Sequence, residues 1–198
     1  MMLVELTTVP QAALPVAQLR EHLRLGSGFA DDGLQDGLLA GFLRAALSAI
    51  EGRTGKALFE REFRWTTYGW RGAEAAALPL APVSAIAEVA VVDAAGAETV
   101  IPPALWRLRG DAQAPALVTL AAALPVIPTG GAARVDFLGG YGPDWSDLPA
   151  DLQQAVMLLA AHYYEFRQDT ALGAGCMPFG VTALIDRYRA VRLTLGGR

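Results

Sequence analysis

The hydrophobic period of this chain changes twice, and nothing else in the sequence limits the fold as much. Up to Gly55 the apolar residues recur at helical spacing, from Ala57 they alternate, and at Leu148 the helical spacing returns. A stretch patterned for one period cannot bury its apolar side at the other, because a strand sends successive residues to opposite faces while a helix brings every third or fourth to one. The sequence therefore predicts an α+β chain. A helical bundle is formed by an N-terminal helix pair (residues 1–56) and a C-terminal helix pair with its tail (149–198), and an antiparallel β module (57–148) is inserted between them.

The first helix is predicted in PVAQLREHLRL, where Pro15 suits a helix start and Val16, Leu19 and Leu23 fall on one side. The second is capped by Asp31 or Asp32 and stopped by Gly55. It has two apolar stripes, one of Leu39, Leu43, Leu47 and Ile50, the other of Leu34, Leu38, Phe42, Ala45 and Ala49, with a narrow polar strip at Arg44 and Glu51. Gly33, Gly37 and Gly41 line up four apart, each costing about 1 kcal/mol relative to alanine. Close approach of another backbone would offset that cost; a frayed first turn is the other reading.

In the middle, EREFRWTTYGW, LWRLRG, ALVTLAA and ARVDFLGGYG read as strands, and IAEVAVVD-AAGA-ETVI as a hairpin. Pro149 opens a helix with Leu152, Val156, Leu159, Tyr163 and Phe166 on one face and Met157, Ala160, Ala161 and Tyr164 on the other. A helix so nearly apolar all round must be covered on more than one side. The last helix, VTALIDRYRAVRL, sets Leu184, Tyr188 and Val191 in register. Because these stripes are too wide to leave exposed and a long insertion adds little closure entropy, residues 1–56 and 149–198 are expected to pack as one helical domain.

Composition excludes several classes of function. With 53% hydrophobic and 18% charged residues over 198 positions, the chain is not of the disordered type. One cysteine, Cys176, rules out an intrachain disulfide framework and a multi-cysteine metal site, and with only His22 and His162 beside it no metal or cofactor is expected. MMLVELTTVP lacks the pattern of a signal peptide, and no apolar run is long enough to span a bilayer, so a soluble chain with no membrane partner is expected. Net charge is −4, the middle being the most acidic part, which does not suit a sequence-specific DNA binder. After Asp186 there is no acid, while Arg187, Arg189, Arg192 and Arg198 follow.

The stretch AAHYYEFRQD crowds His162, Tyr163, Tyr164, Glu165 and Arg167 into a helix end. A small cytosolic enzyme working through His162 with Glu165 or Tyr163 is one reading, but no serine or cysteine lies locally as a nucleophile, and no catalytic residue is assigned. The other reading is a rim whose aromatic bodies pack while polar tips meet a neighbouring subunit. Tyr164, Glu165 and Arg167, with Arg44 and Glu51, are the candidates for that contact. GSGFADDG lacks the GK[ST] ending of a phosphate loop and follows a helix, so it reads as a flexible loop. GGYGPDW reads as the turn that leaves the β module, with a binding loop as the other possibility, and Cys176 reads as an inert thiol.

Four stretches, LTTVPQAALPVAQLREHLRL, DDGLQDGLLAGFLRAALSAIEGRTGKAL, VDFLGGYGPDWSDLPADLQQAVMLLAAHYYEFR and MPFGVTALIDRYRAVRL, cover both ends of the chain. In their order and spacing the chain resembles the head-tail connector, or adaptor, proteins of tailed bacteriophages and phage-derived gene transfer agents. It departs from them at Phe166, where members often carry a polar residue, and in its glycine run. The resemblance implies a non-enzymatic homo-oligomeric ring, typically of twelve copies. Such a ring sits in the particle neck, after a time in the host cytoplasm, joining the portal protein to a stopper or tail-terminator protein while DNA passes through unread. It also implies that the chain end engages the portal, which makes Arg187, Arg189, Arg192 and Arg198 the candidate portal contacts. Another neck component, such as a stopper, is the alternative; the helix, β, helix order favours the adaptor.

Overall fold

The computed structural model describes residues 1–25, 35–167 and 177–189. Two compact units emerge, Met1–Pro10 with Lys56–Asp147, and Gln11–Gly55 with Leu148–Arg198. The first is all β. Its strands are β1 (Met2–Glu5), β2 (Arg61–Thr67), β3 (Ala75–Ala77), β4 (Val83–Val92), β5 (Glu98–Val100), β6 (Trp106–Arg109), β7 (Ala116–Thr119) and β8 (Ala132–Gly139). They form a five-stranded sheet, β1-β2-β8-β4-β5, and a three-stranded sheet, β3-β7-β6, with every strand pair antiparallel.

Alternation explains how the larger sheet earns its core. In β2 the residues Arg61, Phe63, Trp65 and Thr67 are buried, and in β8 the buried set is Ala133, Val135, Phe137 and Gly139. The register sets Phe63 opposite Phe137 and Trp65 opposite Val135, so inward residues face inward residues. The rings of Phe63 and Phe137 stack with centroids 5.7 Å apart, a pairing worth about 1 kcal/mol beyond the area it buries. Ala76 and Leu117 of the smaller sheet join the same cluster, so the two sheets share one core.

The hairpin expected at AAGA is present: Asp93 Oδ1 accepts the N–H groups of Ala95 and Ala97, both at 2.8 Å, and Gly96 supplies a positive φ of 86°. The GGYGPDW turn is tightly built. Gly140 N–H donates to Pro82 O at 3.0 Å, Tyr141 N–H to Leu58 O at 3.1 Å, and Gly142 O accepts from Glu60 N–H at 2.8 Å.

Within the helical unit are α1 (Val16–His22), α2 (Asp36–Thr54), α3 (Ala150–Glu165) and α4 (Phe179–Ile185). α2 ends at Gly55, whose φ of 69° is the left-handed cap expected of glycine. α2 packs on α3 and α3 on α4, while α1 touches α2 and α3. Leu39, Leu43, Ile50, Leu152, Val156, Leu159 and Ala160 are fully buried, and Met157 and Ala161 nearly so, which accounts for an α3 that is apolar on both sides. The cap at Asp31 or Asp32 and the first glycine of the run, Gly33, lie outside the described residues.

Several expectations need correction. Residues 2–5 are not part of the helical domain; they add a strand to the β sheet, pairing Leu3 with Trp65 and Glu5 with Phe63. A four-residue strand with its partner some sixty residues away carries too short a pattern to read. Phe166 falls past the end of α3 and is 47% exposed rather than in the core stripe. In the last helix the buried residues are Val181, Ile185 and Tyr188, with Leu184 only half-buried, because α4 tightens into a 3-10 turn at Asp186–Tyr188. Among the described residues, apart from the immediate chain neighbours and the helix's own backbone, nothing would lie within 4 Å of a Cβ added at Gly37 or Gly41, so the close backbone approach expected there is not made among them.

Candidate functional site

The helix end that crowds its aromatic and charged groups is ordered by packing. The rings of Tyr164 and of Phe42 in α2 meet edge to face, with centroids 6.0 Å apart and planes at 84°, and the Arg167 guanidinium lies over the Tyr164 ring, 4.6 Å from its centroid. Arg167 also donates to the Tyr164 carbonyl at 2.9 Å. His162 packs 4.7 Å from the Phe166 ring and 6.3 Å from that of Tyr163. Burial raises the pKa of the Tyr163 hydroxyl above 10.0, which holds it neutral. Glu165 is exposed. On α2, Arg44 is exposed and Glu51 half-buried, two turns apart on one side of the helix.

The candidate portal arginines that the structure describes have partners inside the chain. Arg187 pairs with Asp151 in the first turn of α3 at 2.6 Å and lies over the Tyr188 ring at 4.8 Å, yet its side chain is 66% exposed. Arg189 pairs with Asp186 at 3.3 Å. Arg192, Arg198 and Cys176 lie outside the described residues, as does the GSGFADDG loop.

Two features escaped the sequence. The first is a ladder of charge across the outward face of the large sheet. Arg64 of β2 makes a two-pronged bond to Asp136 of β8, at 2.8 and 2.7 Å, and Arg134 of β8 reaches Glu88 of β4 and Glu98 of β5. Its hydrogen bond with Asp136 raises the Arg64 pKa further above its already high ordinary value. These side chains alternate with the core residues, so the pattern allowed them to be placed outward, but their pairing depends on a register set elsewhere. The second is Lys56, 1% exposed, whose Nζ donates to Ala112 O at 2.5 Å. Burial lowers its pKa and nearby Asp111 partly offsets the shift. Asp111 in turn accepts the N–H groups of Ala114 and Gln113, which lower its own pKa.

Among the described residues no group of three or more His, Cys, Asp and Glu could hold a metal ion, and no helix is long and apolar enough to cross a membrane. What the geometry offers is surface: exposed aromatic and arginine groups on the helical unit, an ion-paired sheet face and an open apolar sheet edge on the β unit. That is the equipment of a structural protein that works by assembly. Three solved structures match 99% of this chain over 99% of their own chains. They are the neck of an empty gene transfer agent particle computed with C6 symmetry (55% identity, TM-score 0.90), the virion of a native gene transfer agent particle (55%, 0.86), and the neck of the native particle computed with C12 symmetry (50%, 0.85). No protein-family profile and no curated protein matches the chain. The chain belongs to the neck, or head-tail connector, proteins of gene transfer agent and phage particles.

Proposed function

We propose that this chain is the adaptor of that neck: a non-enzymatic ring of twelve copies, seated on the portal, that hands the DNA path on to the next neck component. The observation that carries the reading is the likeness, at 50 to 55% identity over 99% of the chain, to neck structures computed with both C6 and C12 symmetry. A twelve-membered ring survives sixfold averaging because six divides twelve, whereas twelvefold averaging would blur a ring of six. The helix-pair bundle is the part we assign to the portal side, through Arg187, Arg189, Arg192 and Arg198, and Tyr164, Glu165, Arg167, Arg44 and Glu51 are assigned to contacts between copies. A net charge of −4 suits a channel through which DNA must slide, since a strongly basic lining would hold phosphate in place.

Adaptor and stopper are separated by order of attachment. Purified chain is mixed with DNA-filled heads that carry a portal and no other neck protein, then examined by pull-down and negative-stain microscopy. The adaptor attaches directly and appears as a twelvefold ring on the portal. Attachment only after another neck protein has bound would make this chain a stopper.

A further inference from the structure

The β unit has two apolar surfaces at opposite edges of its large sheet. β1 is the outermost strand on one side, paired only through Met2↔Thr66, Leu3↔Trp65, Val4↔Arg64 and Glu5↔Phe63. Met2, Leu3, Val4 and, just beyond, Leu6 are all exposed. Soluble proteins normally blunt such an edge with lysine, proline, a bulge or a covering segment. β1 has no lysine or proline, and its one charge, Glu5, is taken up by Arg61 at 2.9 Å. An apolar edge left open in this way serves pairing with another chain.

At the far edge, four strand spacings or about 19 Å away, β5 leads into a segment that runs on along β4, where Ile101 N–H donates to Val89 O at 2.8 Å. Here Val100, Leu105, Leu120 and Val126 are exposed, the last by 87%. Leu120 N–H donates to Leu105 O at 2.8 Å, which sets those two residues side by side. Leu105 lines an apolar cavity of about 110 Å³ together with Val89, Ile101, Trp106, Leu117 and Leu124 among others, and Leu120 and Val126 each adjoin a lining residue in the chain, Ala121 and Pro125.

A closed ring of identical copies is joined by a heterologous interface, in which one patch of each copy meets a different patch of the next, and in a ring of twelve the two patches lie about 150° apart round the subunit. Two apolar patches on opposite edges of one sheet fit that requirement, and the rings of similar chains make a second copy the natural occupant. We infer that the β1 edge of one copy docks on the Val100, Leu105, Leu120 and Val126 surface of the next, closing the ring through the β units. The inference rests on the ring reading above.

The test uses the full chain. Wild type forms rings on portal-bearing heads; the variants Val4→Glu and Leu120→Glu, each with an unchanged far-UV spectrum and melting temperature, form at least about tenfold fewer. Mixed together, the two variants yield dimers and no rings, because each retains the one patch that the other has lost. Should Leu120→Glu fail to fold, a Cys176→Ser chain carrying both Leu3→Cys and Leu120→Cys replaces it, and mild oxidation of its assembled rings gives a ladder of covalent oligomers, whereas either cysteine alone, facing a leucine across the seam, stays monomeric. Rings from the glutamate variants at wild-type yield, or oxidised rings without a ladder, overturn this inference and leave the ring reading standing. Wild-type chain that forms no ring overturns both.

Discussion

At the residue scale the backbone of the β unit leaves least room at Gly140. Its φ of 139° is one that L side chains rarely adopt, and a Cβ there would collide with Phe59 O and the backbone of Glu60. Both obstacles are main chain and cannot swing aside, so Gly140→Ala should destabilise the β unit by about 3 kcal/mol or more, read as a lower midpoint in a urea titration. Lys56 gives a second prediction. Its folded-state pKa lies below the ordinary 10.5, so the unfolded chain binds the proton more tightly between the two values. The stability difference between wild type and Lys56→Met should therefore shift in favour of wild type as pH rises through that window, and stay flat below it. Melting curves of both proteins at a series of alkaline pH values check this; a difference that moves the other way contradicts a desolvated ammonium. Neither residue's role could be read from the chain. Lys56 follows a helix-stopping glycine, a place where lysines are normally solvated, and its ammonium is met by Ala112, more than fifty residues further along the chain.

At the element scale the long, periodic pieces were legible, as were the short strands β5, β6 and β7 beside their turn signals, but β1 and β3 were not. α2 and α3 declare themselves because each repeats its pattern over several turns, and β2 and β8 because strict alternation lets one face be buried. β1 and β3 have four and three residues, too few to show a period, and each exists only because a distant strand offers it an edge. The candidate contact residues were named from their types alone; that the Tyr164 ring meets Phe42 needed the α2–α3 packing, which no local pattern encodes. The glycines of α2 show the limit from the other side. Gly41 sits in the helix interior with open space where a Cβ would be, so Gly41→Ala should raise stability by about 1 kcal/mol, or roughly 3 °C in melting temperature. A thermal melt of the isolated chain measures it, and a fall would mean that the glycine is needed within the subunit. If the same variant also assembles poorly on portal-bearing heads, the small face of α2 is where another copy comes close.

At the scale of the whole molecule, folding and attachment must be separable if the chain works by its surfaces. The arginines of the closing segment allow that separation to be measured. Arg187 and Arg189 are largely exposed, and their ion pairs with Asp151 and Asp186 are of the surface kind, each worth about 1 kcal/mol or less. Replacing both by alanine should therefore leave the far-UV spectrum unchanged and lower the melting temperature by only a few degrees. If they meet carboxylates of a portal, the loss there is larger, because a guanidinium desolvated in an interface leaves its partner unpaired when it is removed. Attachment to portal-bearing heads should fall by at least about tenfold and weaken with added salt in the wild type but hardly in the variant. The salt arm distinguishes this contact from a general loss of shape, which would depress attachment equally at every ionic strength. Attachment of the double variant at wild-type level would clear Arg187 and Arg189 of any part in portal binding.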